Sequence, residues 1–273
     1  MLAQLTKQIE AKRSLSHYFT LLFILCVVQI WIMVPVNNQT LFFGINELSL
    51  HLPQTSLALI TDFGNGITLG AVILCYLAKR PELSCRVLLA VLFSLILVPL
   101  LKQHFDAPRP LMVHNMVSVI GAPRYHHSFP SGHTASIFLF AGLIYFCTQR
   151  IWLRWTLLLL AVFVGTSRVL VGAHWPEDVV MGAIVGLSLA YAATRICPLI
   201  YLSHRKKALV YLAIIILLVI SEINTDHDFP DHPLVQYVRW SLIGASGLMI
   251  SRFWLLEQLS RLYRHSQRQR SLR

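Results

Sequence analysis

Eight apolar runs, each close to the length a helix needs to cross a hydrocarbon core of roughly 30 Å, fall near residues 17–36, 57–77, 84–101, 132–148, 153–172, 178–199, 208–222 and 237–256. In lipid, every backbone N–H and C=O must be satisfied within the spanning structure, so these runs predict helices. The expected fold class is therefore all-α, a polytopic membrane helix bundle. The composition agrees, with 56% hydrophobic and 13% charged residues. The start, MLAQLTKQIEAKR, has the polar, basic character of a signal peptide's first segment. The run after it is a full-length span ending in VPVNNQT with no small-x-small cleavage site, which reads as a retained anchor.

Eight crossings place both termini on one side. With the N-terminus in the cytoplasm, 18 of the 23 basic residues lie on cytoplasmic segments, including six arginines from Arg252 to Arg273, as the positive-inside rule requires. Topology thus accounts for the net charge of +11, and nucleic acid is not an expected partner. Five cations remain at the outer face: Lys102, Arg109, Arg124, Arg168 and Arg239. Nine of the twelve histidines fall on the same side, which places the chemistry outside the cell membrane. The cysteines lie at or near the cytoplasmic side or within the first span, so no disulfide is expected.

Along the chain this gives a cytoplasmic basic tail at 1–16, a six-span core at 17–200, two additional spans with an acidic outer loop at 201–256, and a second basic tail at 257–273. The longest outer connection runs from Lys102 to about Ser131. It is rich in His, Pro and Arg and too polar to face lipid.

Three stretches meet at the outer face. KQHFDAPRP carries Lys102 and Arg109, FPSGH opens the fourth span, and SRVLVGAHWPED joins the fifth span to the sixth. Each has an ordinary reading. Lys102 and Arg109 could snorkel from a helix end. Ser131 could simply cap a helix, and His174 could sit in a loop ahead of Pro176 at the first helical position. Arg168 fits less easily, because an arginine in an apolar span costs about 2.5–3.5 kcal/mol on insertion scales and calls for an anionic partner. Asp178 is the nearest acid in sequence, but three cations outnumber it. A helix starting at Ser131-Gly132 presents free N–H groups and a partial positive charge, which together suit an anion. His133, in that first turn, is useful as a cation only if it gives up its proton. The spacing from His174 to Asp178 lets a carboxylate hold one ring nitrogen and aim the other outward, as a nucleophile or base needs.

Taken together, Lys102 with Arg109-Pro110, Pro130-Ser131-Gly132-His133, and Ser167-Arg168 with His174 and Asp178 resemble the full signature of the type 2 phosphatidic acid phosphatase superfamily. The motifs span 102–178, and the family's six-helix core would cover roughly 17–200. The resemblance implies a lipid phosphatase that needs no metal or other cofactor. Lys102, Arg109, Arg168, Ser131 and the N–H of Gly132 would hold the phosphoryl oxygens. His174, oriented by Asp178, would attack phosphorus to form a phosphohistidine, and His133 would serve as acid and then base. The expected location is the inner, cytoplasmic membrane, with the site on the periplasmic face.

The expected substrate is a lipid phosphate or diphosphate reached from the bilayer, with undecaprenyl diphosphate ahead of phosphatidylglycerol phosphate, phosphatidic acid and lipid A. Phosphoryl transfer to another lipid and a non-catalytic phospholipid carrier are the alternatives. Arg124, Tyr125, His126 and His127 are candidates for a second phosphate or headgroup. Asp62, at the start of the second span, reads as a helix cap, with a place bordering the site as the alternative, and Gly64, Gly66 and Gly70 read as close-packing positions. Asn38-Gln39-Thr40 is a formal glycosylation acceptor in an outer loop. HDFPDH, with Asp226, His227, Asp228, Asp231 and His232, reads as a solvated acidic loop rather than a metal site.

Overall fold

The fourth apolar run lacks a polar side, and a helix hydrophobic all round belongs inside a bundle rather than at its edge. In the computed structural model, which describes residues 2–200, 202–225 and 227–270, that run forms α7 (Gly132–Cys147), the central helix. Its side chains from Ile137 to Leu143 are all buried. Around it stand α1 (Leu2–Ile32), α4 (Gly66–Lys79), α5 (Ser84–Phe105), α8 (Ile151–Leu170) and α9 (Pro176–Ile196). Side chains such as Phe23, Leu95 and Leu159 point outward and are about 70% exposed, as lipid-facing residues should be.

α7 and α9 make the closest crossing, and glycine permits it. A Cβ on Gly186 would lie 2.2 Å from the Ala135 carbonyl oxygen, and one on Gly182 would lie 2.6 Å from that of Ser131. In lipid, where tails are as apolar as leucine, such close backbone contact is a main source of helix association. It also fixes the start of α7 against the start of α9, which sets two of the three signature stretches side by side.

Helices Leu15–Ile32, Pro81–Val113, Ile151–Leu170, Pro176–Ile196 and Arg205–Asn224 are long and apolar enough to span a membrane. The expected second crossing is broken. α3 (Gln54–Asp62) and α4 meet at a 58° bend, and the pair counts as a sixth span if taken together. The break lies at Phe63-Gly64-Asn65, where Asn65 Oδ1 accepts from Ile67 N and caps α4. α7 has 16 residues and is shorter than a full crossing. The last expected crossing, 237–256, lies inside α11 (Pro233–Arg270), which is outside that set.

Between α1 and α3 the chain forms α2 (Pro35–Leu48) where the sequence reading expected an outer loop. Phe42 on α2 is fully buried, in a cluster with Val117, Val169 and Trp175. Asn38 is buried too, and its Oδ1 accepts from the backbone N of Glu177 at the start of α9. A side chain used in that way is not a glycosylation acceptor. α10 (His204–Asn224) and α11 pack on α4, with Gly70 giving room for Leu218. Gly64 likewise permits the approach of His133, whereas a Cβ on Gly66 would meet nothing within 4 Å. Side chains at 1–14 and 256–273, which hold most of both expected tails, lie outside the described residues, as does Asp226.

Candidate active site

Trp175 marks the start of α9, and its backbone N donates to Asp178 Oδ2 at 2.8 Å. The bond turns Asp178 back over the helix N-terminus, a favourable position for a carboxylate. Asp178 and His174 are 1% and 2% exposed. The His174 ring turns Nδ1 to Asp178 Oδ2 at 3.3 Å. An N–H donated there places the hydrogen on Nδ1 and leaves the Nε2 lone pair free. Burial first, and then the positive charges of neighbours led by Arg109, hold the His174 pKa well below the usual imidazole value. His174 is therefore neutral at pH 7, the form in which it can act as a nucleophile.

Ser128 was missed in the sequence. Its hydroxyl donates to Asp178 Oδ2 at 2.5 Å and lies 3.4 Å from His174 Nδ1. The same carboxylate oxygen thus receives a backbone N–H and a hydroxyl besides facing the histidine, which fixes it in place. The signal available was a hydroxyl three residues before the FPSGH serine, in HSFPSGH, and that pattern does not show which acid the hydroxyl would meet.

The three expected cations gather around this centre, each carried by a different segment of the chain. Arg109 is 5% exposed; its Nε donates to His126 O at 2.9 Å and its Nη1 to Ala173 O at 3.0 Å. Lys102, in the last turn of α5, donates from Nζ to His127 O at 2.6 Å. Arg168, in the last turn of α8, is 6% exposed; its Nη1 donates to Thr61 Oγ1 at 2.9 Å, and its Nε has no protein partner. Arg109 and Arg168 are hydrogen-bonded by neutral carbonyls and a hydroxyl rather than by a carboxylate, with Asp178 and Asp228 acting on them only from a distance, so the cluster is built to receive an anion.

Ser131 caps α7. It is fully buried, and its Oγ accepts from Thr134 Oγ1 at 2.9 Å and from Thr134 N at 3.4 Å. Its backbone N donates to Asp178 O at 2.9 Å, which joins the start of α7 to the His174–Asp178 pair. Gly132 faces Lys102, whose Cε would lie 3.8 Å from an added Cβ. His133, one residue on, has a buried Nε2 with no hydrogen-bond partner; the nearest carboxylate oxygen is Asp228 Oδ2, at 3.8 Å.

The stretch 124–127 contributes mainly through its backbone. Tyr125, His126 and His127 give their carbonyls to Arg109 N, Arg109 Nε and Lys102 Nζ, while their side chains are largely exposed. The rings of His126 and His127 face Asp106. Arg124 differs, because it pairs with Asp228 from the α10–α11 loop. That loop is not the solvated segment expected from its acidity. Asp228 enters the site, His227 contacts Gln236 at 2.9 Å, and His232 contacts Thr55 at 3.2 Å. Among the described residues, no group of three or more His, Cys, Asp and Glu side chains could hold a metal ion.

Asp62 also departs from its expected role. It lies at the C-terminal end of α3, 2% exposed, and binds Arg239 of α11 through contacts of 2.5–3.1 Å. Thr68 Oγ1 donates to its Oδ2 at 2.6 Å, and Arg239 also reaches Glu222 of α10 at 3.2 Å. Arg239 therefore belongs to a buried charge cluster of its own.

Comparison with known proteins gives a consistent picture. The PAP2 superfamily profile matches residues 83–202. "Putative undecaprenyl-diphosphatase YbjG" of Escherichia coli (strain K12) is 34% identical over 159 residues, which cover 55% of this chain and 77% of that protein. A "Lipid A 1-phosphatase" of Rhizobium johnstonii is 35% identical over 102 residues, 35% of this chain and 40% of the relative. Among solved structures, the crystal structure of Aquifex aeolicus LpxE matches with a TM-score of 0.51 and 28% identity, covering 58% of this chain and 94% of that one.

Proposed function

The chain belongs to the PAP2 superfamily and is a multi-pass membrane lipid phosphate hydrolase; from that premise we propose that it removes the terminal phosphate of undecaprenyl diphosphate at the extracytoplasmic face, through a phosphohistidine on His174. The observation that carries this reading is the buried His174, with Nδ1 turned to Asp178 and with Arg109, Arg168 and Lys102 gathered around it.

In the first step the free Nε2 of His174 attacks phosphorus in line, forming the N–P bond as the bond to the bridging oxygen breaks. His133, protonated once the charge of the bound phosphates offsets the surrounding cations, supplies a proton to that oxygen, and the lipid monophosphate departs. In the second step the now neutral His133 takes a proton from water, whose oxygen attacks phosphorus, breaks the N–P bond and releases inorganic phosphate. Positioning and charge neutralisation dominate phosphoryl transfer. Two arginines, a lysine and the N–H groups at the start of α7 supply both, and proton transfer by His133 adds about 10²–10⁴-fold. Asp178 holds the ring and stabilises the positive charge that develops on it.

The preference for a polyprenyl diphosphate over lipid A rests on the greater coverage of the first relative and on a spare cation, Arg124, beside the cluster. The proposed topology places both termini in the cytoplasm of the inner-membrane cell face, which leaves the basic tails inside and the site outside. The test is phosphate release by detergent-purified protein from matched lipid mono- and diphosphates, with and without chelator, beside His174→Ala. Release from undecaprenyl diphosphate that survives chelator and disappears in the variant is expected. Loss of activity on adding chelator would overturn the metal-free route.

A further inference from the structure

Beside the cluster lies a cavity that shares Arg109 and Arg168 with it but excludes both histidines; its other polar walls are Arg124 and Asp228, and Phe229 closes one side. Asp228 is brought there by construction. Its carbonyl oxygen accepts from Ala122 N at 2.8 Å, and Phe229 is buried against Leu57, Ile120 and Leu170. The facing residue, Gly121, has φ +98°, and a Cβ there would lie 2.4 Å from the Asp228 carbonyl oxygen, so only glycine lets the two loops meet. The backbone at Asp228 is thus anchored while its side chain is free to turn, and the carboxylate, paired with Arg124 and 3.8 Å from His133 Nε2, lies on the side from which His133 would protonate the leaving oxygen.

We propose that this cavity is a second phosphate subsite for the lipid-side phosphate of a diphosphate, and that Asp228 is the gate which that phosphate displaces from Arg124. The proposal rests on the reading of His133 as the leaving-group acid. Three cations serve the reacting phosphate, and Arg124 is surplus to them, neutralised by Asp228. A phosphate taking the place of the carboxylate would give Arg124 two oxygens in its planar fork. If the carboxylate stayed, it would repel the second phosphate. A monophosphate ester with a neutral leaving oxygen requires no exchange. Asp228 therefore sets how strongly the enzyme distinguishes diphosphates from monophosphates.

The experiment uses the full chain in detergent with a prenyl monophosphate and a prenyl diphosphate of equal chain length. For Asp228→Asn, the diphosphate-to-monophosphate ratio of kcat/KM should rise several-fold. For Arg124→Gln it should fall about tenfold, the scale of one charge-assisted hydrogen bond. Parallel changes on both substrates, or a lower ratio in Asp228→Asn, would overturn the proposal. Should Asp228→Asn fail to fold, the half-exposed Arg124 decides alone. Thermal shifts with inorganic diphosphate and inorganic phosphate give the same comparison without turnover: Asp228→Asn must gain more from diphosphate, and equal gains would count against the gate. If the wild type hydrolysed neither lipid but kept this binding preference, the phosphatase reading would fail and the subsite would stand.

Discussion

His174 is neutral because it is buried among cations, and this has a consequence for pH. A depressed pKa in the folded state means that the neutral form persists as pH falls past the ordinary imidazole value near 6.5. The stability linked to it is complete above that value and is lost as pH falls toward the lowered one. In Asp178→Asn, where no carboxylate titrates beside the ring, the remaining acid limb of kcat/KM should therefore lie below about pH 6.5; a limb above that value would contradict a neutral nucleophile held by burial. His174→Ala should show no turnover above background, and a wild-type rate would dismiss the mechanism. Arg168→Lys keeps a charge but loses the fork that now reaches Thr61, so kcat/KM should fall at least about tenfold. Equal activity would mean that Arg168 does not touch phosphate. Lys102, Arg109, His133, His174 and Asp178 could be named in the sequence because the proposed chemistry asks for those residue types at helix ends, and the fold brings them together. The residues that orient them could not: Ser128 is 50 positions from Asp178, Thr61 is 107 from Arg168, and Asp228 is 104 from Arg124. A lone hydroxyl or loop acid carries no periodicity, and only the folded chain pairs it with its partner.

At the scale of elements, the apolar runs revealed helices but not their interruptions. Spans around α5, α8 and α9 were legible because lipid requires long uninterrupted hydrophobic stretches. α2 was not, because it is a mixed segment that buries one face on protein, and the bend between α3 and α4 depends on a cap and a close approach rather than on hydropathy. Crossing geometry was equally hidden. Gly186 sits where any side chain would strike the α7 backbone, so Gly186→Ala should push α7 from α9 and cost about 1–3 kcal/mol in unfolding. The shift should also disturb the start of α7, and with it the Ser131–Asp178 bond. Gly247→Ala is the control: a Cβ there meets nothing within 4 Å, and helix propensity should favour it by about 1 kcal/mol. Equal melting of the two variants would show that the crossing does not depend on backbone contact.

Across the whole molecule, the last two helices are tied to the rest by charge. Asp62 of α3, Glu222 of α10 and Arg239 of α11 are each 2% exposed or less, and one guanidinium serves both acids. Asp62 directly follows Thr61, the residue that holds Arg168, so the same short helix carries the tie and a wall of the phosphate cluster. Removing one member of a buried ion cluster leaves uncompensated charge, at a cost of about 3–5 kcal/mol, whereas replacing the whole group with apolar residues of similar size is often neutral. Arg239→Met should therefore lower the melting temperature sharply and reduce turnover as well, because two unpaired carboxylates would sit beside Thr61 and draw Arg168 toward them. The combined variant Asp62→Leu, Glu222→Met, Arg239→Met should recover most of the stability, since no charge is left stranded and the replacements are apolar. Its activity reports separately on the site. Recovery of stability together with near-wild-type turnover would mean that the cluster serves only to dock α10 and α11. Restored stability with a persistent rise in KM would mean that the tie also sets the position of Arg168, so that the two C-terminal helices shape phosphate binding from across the bundle. If Arg239→Met melted like the wild type, the cluster would not be the link between these helices and the core.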